Sequence, residues 1–212
     1  MPIKHRVGVI GAGAAGSMAA IFAARHGAEV LLLERTRDGG RKILISGGGR
    51  CNVLPARVDE TRFVTDSSPN LLRKMVRSWP LAEQIAFFEQ ELNIPLAEET
   101  ESAKLFPVSN KARDVRDGLL EHARSEGVVV MLNKQVVGMA PQGAGWRIET
   151  SSDAPIDVDR LIVASGGLSV PNTGSDGSRL SRLNVMGGCC GTDHRHVEQI
   201  AKACLPVFHA AT

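Results

Sequence analysis

The sequence predicts an α/β fold in which a parallel sheet is followed by an antiparallel β-meander. An apolar strand, an alanine-rich helix and a second apolar strand follow one another over residues 7–34. A predicted helix at 111–125 leads into a strand at 128–132, which suits a parallel sheet, and the closely spaced strands after it suit a meander. A further apolar strand at 161–164 ends on glycines, at the strand end where such sheets bind ligands.

The first βαβ unit contains three glycines at the spacing of a dinucleotide-binding fingerprint. Gly11, Gly13 and Gly16 form G-x-G-x-x-G where the strand meets the helix. This spacing allows a tight turn, a close approach of the backbone to a pyrophosphate and close helix–strand packing, and the helix N-terminus provides N–H groups. Glu34 ends the second strand, where a carboxylate accepts hydrogen bonds from a ribose hydroxyl. The unit therefore predicts a Rossmann-like dinucleotide site, with a plain βαβ unit and a glycine turn as the alternative.

The segments between these elements predict a loop and a helical excursion. Residues 35–52 are rich in Gly and Arg, which is typical of a loop that crosses the surface. Residues 70–92 predict two helical pieces, because Pro80 suits the first turn of a helix and apolar residues follow it at helical spacing. Residues 93–109 are predicted to be irregular, because two prolines interrupt them. The short strands predicted beyond the last helix are 128–132, 135–139, 146–149 and 161–164, with turns at 141–143 and 151–155.

Composition and charge are those of an ordinary soluble globular protein. Lys and Arg number 25 against 23 acidic residues, so no basic field indicates a nucleic-acid partner. The apolar run that precedes Gly11 is too short for a signal peptide or a membrane span. We therefore expect a cytoplasmic protein that acts on a small-molecule substrate, with no nucleic-acid and no membrane partner. The oligomeric state stays open.

The four cysteines predict neither a redox pair nor a metal site. No two of them form C-x-x-C, the spacing of thioredoxin-like motifs and zinc ribbons. Three lie near the C-terminus among three histidines, but their spacing matches no structural zinc pattern, so no metal ligand is predicted. Cys51 adjoins a run of glycines and is expected to pack, since no second cysteine follows it to form a dithiol.

Four segments of the chain carry distinctive motifs. They are IGAGAAG at 10–16 together with Glu34, GGRKILISGGGRCN at 39–52, LFPVSNKARDV at 105–115 and IVASGGLSVPNTGSDG at 162–177. From residue 5 to about 177 the chain resembles a group of FAD-dependent flavoproteins that includes BaiN-like reductases and aminoacetone-oxidase-like proteins. Ser165 occupies a position where this family has threonine.

The resemblance implies that FAD, rather than NAD, occupies the fingerprint, with NAD(P)H as the electron donor of the full-length family. The residues implied at the pyrophosphate and the adenosine ribose are Gly11, Gly13, Ala14, Gly16 and Glu34. Those implied along the rest of the cofactor are Arg41, Lys42, Ser46, Gly47, Gly48, Gly49, Arg50, Asn52, the backbone of Val136 at the adenine, Gly166 and Gly167. The sequence shows no paired carboxylates, nucleophile–base set or metal triad, so no catalytic residue is predicted.

The resemblance also predicts the domain organisation. Residues 1–178 are expected to form the first part of an FAD-binding Rossmann-like domain, with a helical excursion at about 55–110. Residues 179–212 depart from the family pattern and are expected to be a disordered or frameshifted tail, because they show weak periodicity. The chain is therefore expected to be truncated, since family members continue with substrate-side structure and a segment that completes the FAD site.

Three functions remain open on the sequence. The resemblance implies a flavoprotein oxidoreductase that transfers a hydride between FAD and a small organic substrate, in a family that reduces activated carbon–carbon double bonds or oxidises small amines. The second candidate is a truncated, catalytically inactive nucleotide-binding remnant. The third is a flavin-dependent RNA-modifying protein, because some of these begin with a similar glycine motif, although the near-neutral charge weighs against it.

Overall fold

The computed structural model describes residues 4–60 and 68–167, which form two compact units. The first unit contains the residues up to Ile43 and from Leu119 onward, and the second contains Leu44–Gly118. The predicted tail at 179–212, with its cysteines and histidines, lies outside the described residues. In chain order the elements are β1 (Arg6–Ile10), α1 (Ala14–Arg25), β2 (Glu29–Leu33), α2 (Arg41–Ile45), a 3₁₀ turn (Ser46–Gly49), β3 (Leu54–Pro55), α3 (Pro69–Arg77), α4 (Leu81–Ala86), a π-helical turn (Phe87–Glu91), β4 (Leu96–Glu99), β5 (Lys104–Pro107), α5 (Ala112–Ser125), β6 (Val129–Met131), β7 (Val136–Gln142), β8 (Gly145–Thr150), β9 (Ile156–Val158) and β10 (Arg160–Val163).

The first unit is built on a four-stranded parallel sheet in the order β10–β1–β2–β6. Val9 of β1 pairs with Leu32 of β2 on one side and with Ile162 of β10 on the other. The central strands are continuous runs of buried apolar residues, as is typical of strands covered on both faces. The parallel sheet predicted from the sequence is confirmed, including its strands at 128–132 and 161–164.

Both faces of the central strands are covered within the first unit. On one face α1 packs against β1, β2 and β10. On the other face the meander contributes Ile148 and Val158 to a buried cluster with Ile10 and Leu33. Gly8 lies on this second face, where a Cβ would be only 2.7 Å from Cδ1 of Ile148. The meander can therefore approach β1 this closely because Gly8 has no side chain.

The meander consists of β7, β8 and β9 in antiparallel order. β7 and β8 confirm the strands predicted at 135–139 and 146–149, and a bulge interrupts their pairing between Val136 and Gly138. β9 was not predicted, because three residues are too few to show a period of two. Its pairing with β8 and the burial of Val158, which is 5% exposed, define it as a strand.

Helices α1 and α5 are each followed, two residues beyond their last residue, by a glycine whose backbone is left-handed. Gly27 and Gly127 each have a φ of +86°. The N–H of Gly27 donates to the carbonyl of Ala24 at 2.9 Å, and that of Gly127 donates to Arg124 at 3.0 Å. Glycine adopts this conformation without a Cβ penalty, so it terminates a helix well. The helix end predicted at Gly127 is confirmed.

Residues 35–52 are not the surface loop that their composition predicts. They contain α2 and the glycine turn that follows it, and Ile43 in α2 is only 6% exposed. The chain enters α2 through Gly39 and Gly40, which both have positive φ, and the N–H of Ile43 donates to the carbonyl of Gly40 at 2.9 Å. The prediction was wrong because glycine here turns the backbone into a helix instead of ending regular structure.

The second unit contains a small antiparallel sheet in the order β3–β5–β4. Residues 93–109 were predicted to be irregular, but they form β4 and β5, which pair as a hairpin. Pro95 precedes β4 and Pro107 ends β5, so both prolines lie at strand ends, where a missing N–H is tolerated. The two helical pieces predicted at 70–92 are confirmed as α3 and as α4 with its π-helical turn.

Candidate dinucleotide-binding site

The turn between β1 and α1 places two fingerprint glycines in tight packing. Gly11 has a φ of +100°, and a Cβ at this position would lie 2.6 Å from the carbonyl oxygen of Ala164, just beyond β10. A Cβ on Gly16 would overlap with the carbonyl oxygen of Gly11. Both positions therefore require glycine for the packing of the protein itself.

Gly13 differs from these two glycines, because the packing of the protein does not require it. Its φ is −80°, and a Cβ would meet no atom of the described residues within 4 Å. The space at the start of α1 is thus open, and no acidic side chain occupies the first turn. Ala14 begins the helix, whose first N–H groups have no intrahelical partners and carry the positive end of the helix dipole. This open helix end fits a pyrophosphate, as the sequence predicts.

Glu34 is held by hydrogen bonds from the fingerprint turn and from Thr36. Its Oε2 accepts from the backbone nitrogen of Ala12 at 2.9 Å. Its Oε1 accepts from the backbone nitrogen and Oγ1 of Thr36, at 2.8 and 2.7 Å. An ionised carboxylate has about four acceptor sites, so one site on Oε2 has no donor among the described residues. That site fits a ribose hydroxyl, the group predicted to bind Glu34.

Four residues of this network were missed in the sequence: Ala12, Thr36, Gly39 and Gly40. The N–H of Gly40 donates to the carbonyl of Ala12 at 2.9 Å, and the N–H of Gly39 donates to Oγ1 of Thr36 at 3.1 Å. Gly39 and Gly40 are buried and have positive φ. The glycine pair directly precedes the predicted residue Arg41 and was a visible signal. Ala12 acts only through its backbone, so its residue type gave no signal.

Lys42 connects two parts of the predicted site that are distant in sequence. Its Nζ donates a hydrogen bond of 3.1 Å to the carbonyl of Gly167. Gly166, with a φ of +79°, turns the chain just before this contact. Arg41 forms an ion pair of 3.2 Å with Asp38 near the surface. The structure therefore brings Lys42 to the turn after β10, whereas Arg41 pairs within its own segment.

In the second unit, the glycines at 47–49 form a left-handed turn. Gly47, Gly48 and Gly49 have φ values of +56°, +69° and +88°. A Cβ on Gly47 would lie 2.7 Å from Cε1 of Phe106, whereas a Cβ on Gly48 would meet nothing within 4 Å. Oγ of Ser46 is buried and has no hydrogen-bond partner among the described residues. Buried hydroxyls normally have a partner, so Ser46 fits a contact with a ligand.

Arg50, which was predicted to line the cofactor, is engaged within the second unit. Its Nη1 donates to Oε1 of Glu99 at 2.7 Å, and its guanidinium carbon lies 4.3 Å from the centroid of the Phe106 ring. Hydrogen bonds from the Ser102 hydroxyl and from Arg50 lower the pKa of Glu99. Arg50 therefore holds the glycine turn against β4 and β5.

The two residues after Arg50 pack against the same turn. The N–H of Cys51 donates to the carbonyl of Ser46 at 2.9 Å, and Cys51 is 5% exposed. The backbone nitrogen of Asn52 lies 3.0 Å from the position that a Cβ on Gly47 would occupy. The burial of Cys51 agrees with the packing role expected for it.

Val136, which was predicted at the adenine, begins β7 and is 8% exposed. The segment before it is bonded to the end of β2 in the first unit. The N–H of Lys134 donates to the carbonyl of Glu34 at 2.8 Å, and the N–H of Asn133 donates to the carbonyl of Thr36 at 3.1 Å. The segment leading to Val136 is therefore held beside the residue predicted to bind the ribose.

The described residues contain neither a candidate metal site nor a candidate membrane-spanning helix. Within residues 4–60 and 68–167, no group of three His, Cys, Asp or Glu side chains could hold a metal ion. No helix in the same ranges is long and apolar enough to cross a membrane. The cofactor contacts inferred from the sequence stay predictions.

Known proteins share the fold and parts of the sequence. The crystal structure of Thermovibrio ammonificans THI4 has a TM-score of 0.50 and 14% identity, covering 77% of this chain and 58% of that chain, which supports the fold alone. The 3-dehydro-bile acid delta(4,6)-reductase of Clostridium scindens is 30% identical over 185 residues, 86% of this chain and 44% of that protein. The ribosomal RNA dihydrouridine synthase of Escherichia coli is 29% identical over 167 residues, 79% of this chain and 40% of that protein. The chain thus spans less than half the length of these curated relatives.

A family profile that matches most of the chain identifies the family to which the chain belongs. The sequence profile of the HI0933-like protein Rossmann domain matches residues 5–188. This range contains the whole βαβ unit, the glycine turn of the second unit and the meander. The match confirms the resemblance inferred from the four motifs, and the chain belongs to the HI0933-like Rossmann-domain family.

Proposed function

We propose that the chain binds FAD and forms the cofactor-binding part of a flavin-dependent oxidoreductase. The observation that carries this proposal is the helix end at Gly13, which is open among the described residues. It is joined through Ala12 to the Glu34 carboxylate, whose Oε2 keeps one acceptor site without a donor in the same part of the chain. The helix end offers N–H groups to a pyrophosphate, and Glu34 offers an oxygen to a ribose hydroxyl. The first unit therefore provides for both parts of an ADP moiety.

The chain's own contribution to the reaction is binding and orientation. Bound FAD would supply the hydride chemistry, with NAD(P)H as the proposed electron donor. Glu34 and the fingerprint turn hold the ADP end, and Lys42 holds the turn at Gly166 and Gly167.

The proposed reaction is the reduction of an activated carbon–carbon double bond in a small organic molecule. The relatives from Clostridium scindens and Escherichia coli are named as a delta(4,6)-reductase and a dihydrouridine synthase. Both names describe the addition of hydrogen across a double bond. This shared chemistry favours reduction over the oxidation of small amines.

A second candidate is the modification of RNA. It is favoured by two relatives named ribosomal RNA dihydrouridine synthase, from Escherichia coli at 29% identity and from Haemophilus influenzae at 28%. The small-molecule substrate is preferred because the chain has 25 basic and 23 acidic residues. Proteins that bind RNA usually present a strongly basic surface.

Spectroscopy and single-turnover kinetics test both candidates. The purified chain is mixed with excess FAD and desalted, and we expect flavin absorption bands at about one cofactor per chain. The flavin is then reduced anaerobically with NADPH or NADH, and its reoxidation is followed with an enone or with a ribosomal RNA fragment. Reoxidation by the enone supports the main proposal, and reoxidation by RNA alone supports the second candidate. A folded but colourless chain would contradict both and would fit the inactive nucleotide-binding remnant.

A further inference from the structure

The hydroxyl group of Thr36 connects Glu34 to the glycine pair that precedes α2. Oγ1 of Thr36 donates to Oε1 of Glu34 at 2.7 Å and accepts from the N–H of Gly39 at 3.1 Å. The N–H of Thr36 donates to the same Oε1 at 2.8 Å. A hydroxyl has one proton to donate, so the proton of Thr36 is already used on Glu34.

These hydrogen bonds determine which carboxylate oxygen of Glu34 is available to accept a hydrogen bond from a ligand. Thr36 fills both acceptor sites of Oε1, whereas Oε2 accepts only from Ala12 among the described residues. The last torsion of a glutamate is broad, so an unrestrained carboxylate would turn freely. With one oxygen held by Thr36 and the other by Ala12, the carboxylate plane is fixed.

We propose that Thr36 is a positioning residue for ribose recognition, an inference that rests on the proposed binding of FAD. Its hydroxyl holds Oε1, which leaves the free acceptor site of Oε2 as the one available to a ribose hydroxyl. Thr36 acts through Glu34 and has no proton left for the ribose. Its specific effect is therefore confined to ligands that carry ribose hydroxyls.

Backbone hydrogen bonds that do not involve the Thr36 hydroxyl hold the chain around this residue. The positioning role of the hydroxyl can therefore be tested in a folded protein. The N–H of Asn133 donates to the carbonyl of Thr36 at 3.1 Å, and the N–H of Gly40 donates to the carbonyl of Ala12 at 2.9 Å. Thr36→Val keeps the shape of the side chain and removes the hydroxyl. Thr36→Ser keeps the hydroxyl and is the matched control, while Thr36→Ala is a second deletion should valine prevent folding.

The test is a double-mutant cycle in which the hydroxyl of Thr36 is removed from the protein and the 2′ and 3′ hydroxyls are removed from the ligand. ADP and 2′,3′-dideoxy-ADP are titrated calorimetrically into the full chain and its variants, after thermal unfolding has shown that each is folded. We expect the wild type and Thr36→Ser to prefer ADP roughly tenfold, the effect of one hydrogen bond to a charged group. Thr36→Val and Thr36→Ala should lose most of this preference.

Two results would overturn the inference, and they are distinguishable. If Thr36→Val weakens both ligands equally while the wild type binds FAD, Thr36 has only a structural role and the proposed function stands. If the folded wild type binds neither ADP nor FAD, the proposed function falls together with the inference.

Discussion

Ala12 and Glu34 are joined by a hydrogen bond of 2.9 Å from the backbone nitrogen of Ala12 to Oε2 of Glu34. This bond ties the end of β2 to the fingerprint turn, and Thr36 holds the other carboxylate oxygen. The residue that the motif assigns to the ribose is thus also part of the frame of the predicted pyrophosphate site. Glu34 therefore couples the two halves of the proposed ADP site.

Replacing Glu34 with alanine should weaken FAD binding by more than the loss of a ribose contact. The substitution also leaves the N–H of Ala12 without its acceptor, and hydrogen bonds to a charged group are worth about 1.5–3 kcal/mol each. We expect an increase in the FAD dissociation constant of at least about tenfold, measured by fluorescence titration. Glu98→Ala, at an exposed position of β4, is the control and should bind normally. Unchanged affinity in folded Glu34→Ala would contradict this account.

Gly13 and Gly16 should respond differently to the same substitution. Gly13→Ala introduces a methyl group that has no atom of the described residues within 4 Å. The melting temperature of this variant should therefore stay close to that of the wild type. The methyl group would occupy the space proposed for the pyrophosphate, and FAD binding should fall sharply. Gly16→Ala would overlap with the carbonyl of Gly11 and should lower the melting temperature. The reverse pattern, with a destabilised Gly13→Ala that still binds FAD, would rule out an open pyrophosphate site at Gly13.

Lys42→Met should loosen the turn that follows β10. Methionine retains an aliphatic side chain but removes the donor to the carbonyl of Gly167. Hydrogen–deuterium exchange of the apo chain should increase at 164–167 and stay unchanged in β1. Arg41→Met is the matched control, because its ion pair with Asp38 is largely exposed and exposed pairs contribute little. Equal exchange at 164–167 in both variants would count against the contact.

The pair of Arg50 and Glu99 should make part of the stability dependent on pH. The pKa of Glu99 is lowered by hydrogen bonds from Ser102 and Arg50, so its folded-state value lies below the ordinary value of 4.5. A depressed carboxyl pKa contributes stability above the unfolded-state value, and this stability is lost as the pH falls through the folded-state value. Glu99→Gln should therefore be less stable than the wild type at neutral pH, with a difference that shrinks on acidification.

Urea unfolding of both proteins between pH 7 and pH 3 measures this difference. Because the side chains of Arg50 and Glu99 are both exposed by more than a third, added salt should reduce the difference in stability between the wild type and Glu99→Gln. Glu98→Gln serves as the control and should follow the wild type at every pH. A difference that grows as the pH falls would show that Glu99 is not stabilised as its carboxylate.

The elements that could be predicted from the sequence carry local signals. The βαβ unit combines continuous apolar strands with glycines at fixed spacing, and α5 is followed by Gly127, where only glycine turns easily. The hairpin of β4 and β5 has no such signal, because its strands are defined by pairing with each other and its prolines lie at their ends. The strand β9 is likewise defined by its partner β8.

In the candidate site, features that depend on residue type could be predicted from the sequence, whereas features that depend on backbone contacts could not. The tight turn at Gly11 and Gly16 could be predicted because the backbone packing requires glycine at both positions. The contacts of Ala12 and Gly40 could not, because backbone hydrogen bonds form with almost any residue type. Arg50 carries a charge that suits a cofactor, yet the fold engages it with Glu99 and Phe106, which only the pairing of distant strands reveals.

A fluorescence titration of FAD into the folded wild-type chain, beside Gly13→Ala, tests the central claim most directly. The account predicts saturable binding at about one FAD per chain, displaced by ADP, and a loss of this binding in a Gly13→Ala protein that melts at the wild-type temperature. Binding that ADP does not displace, or equal binding by the two proteins, would contradict the assignment of the cofactor to the fingerprint turn.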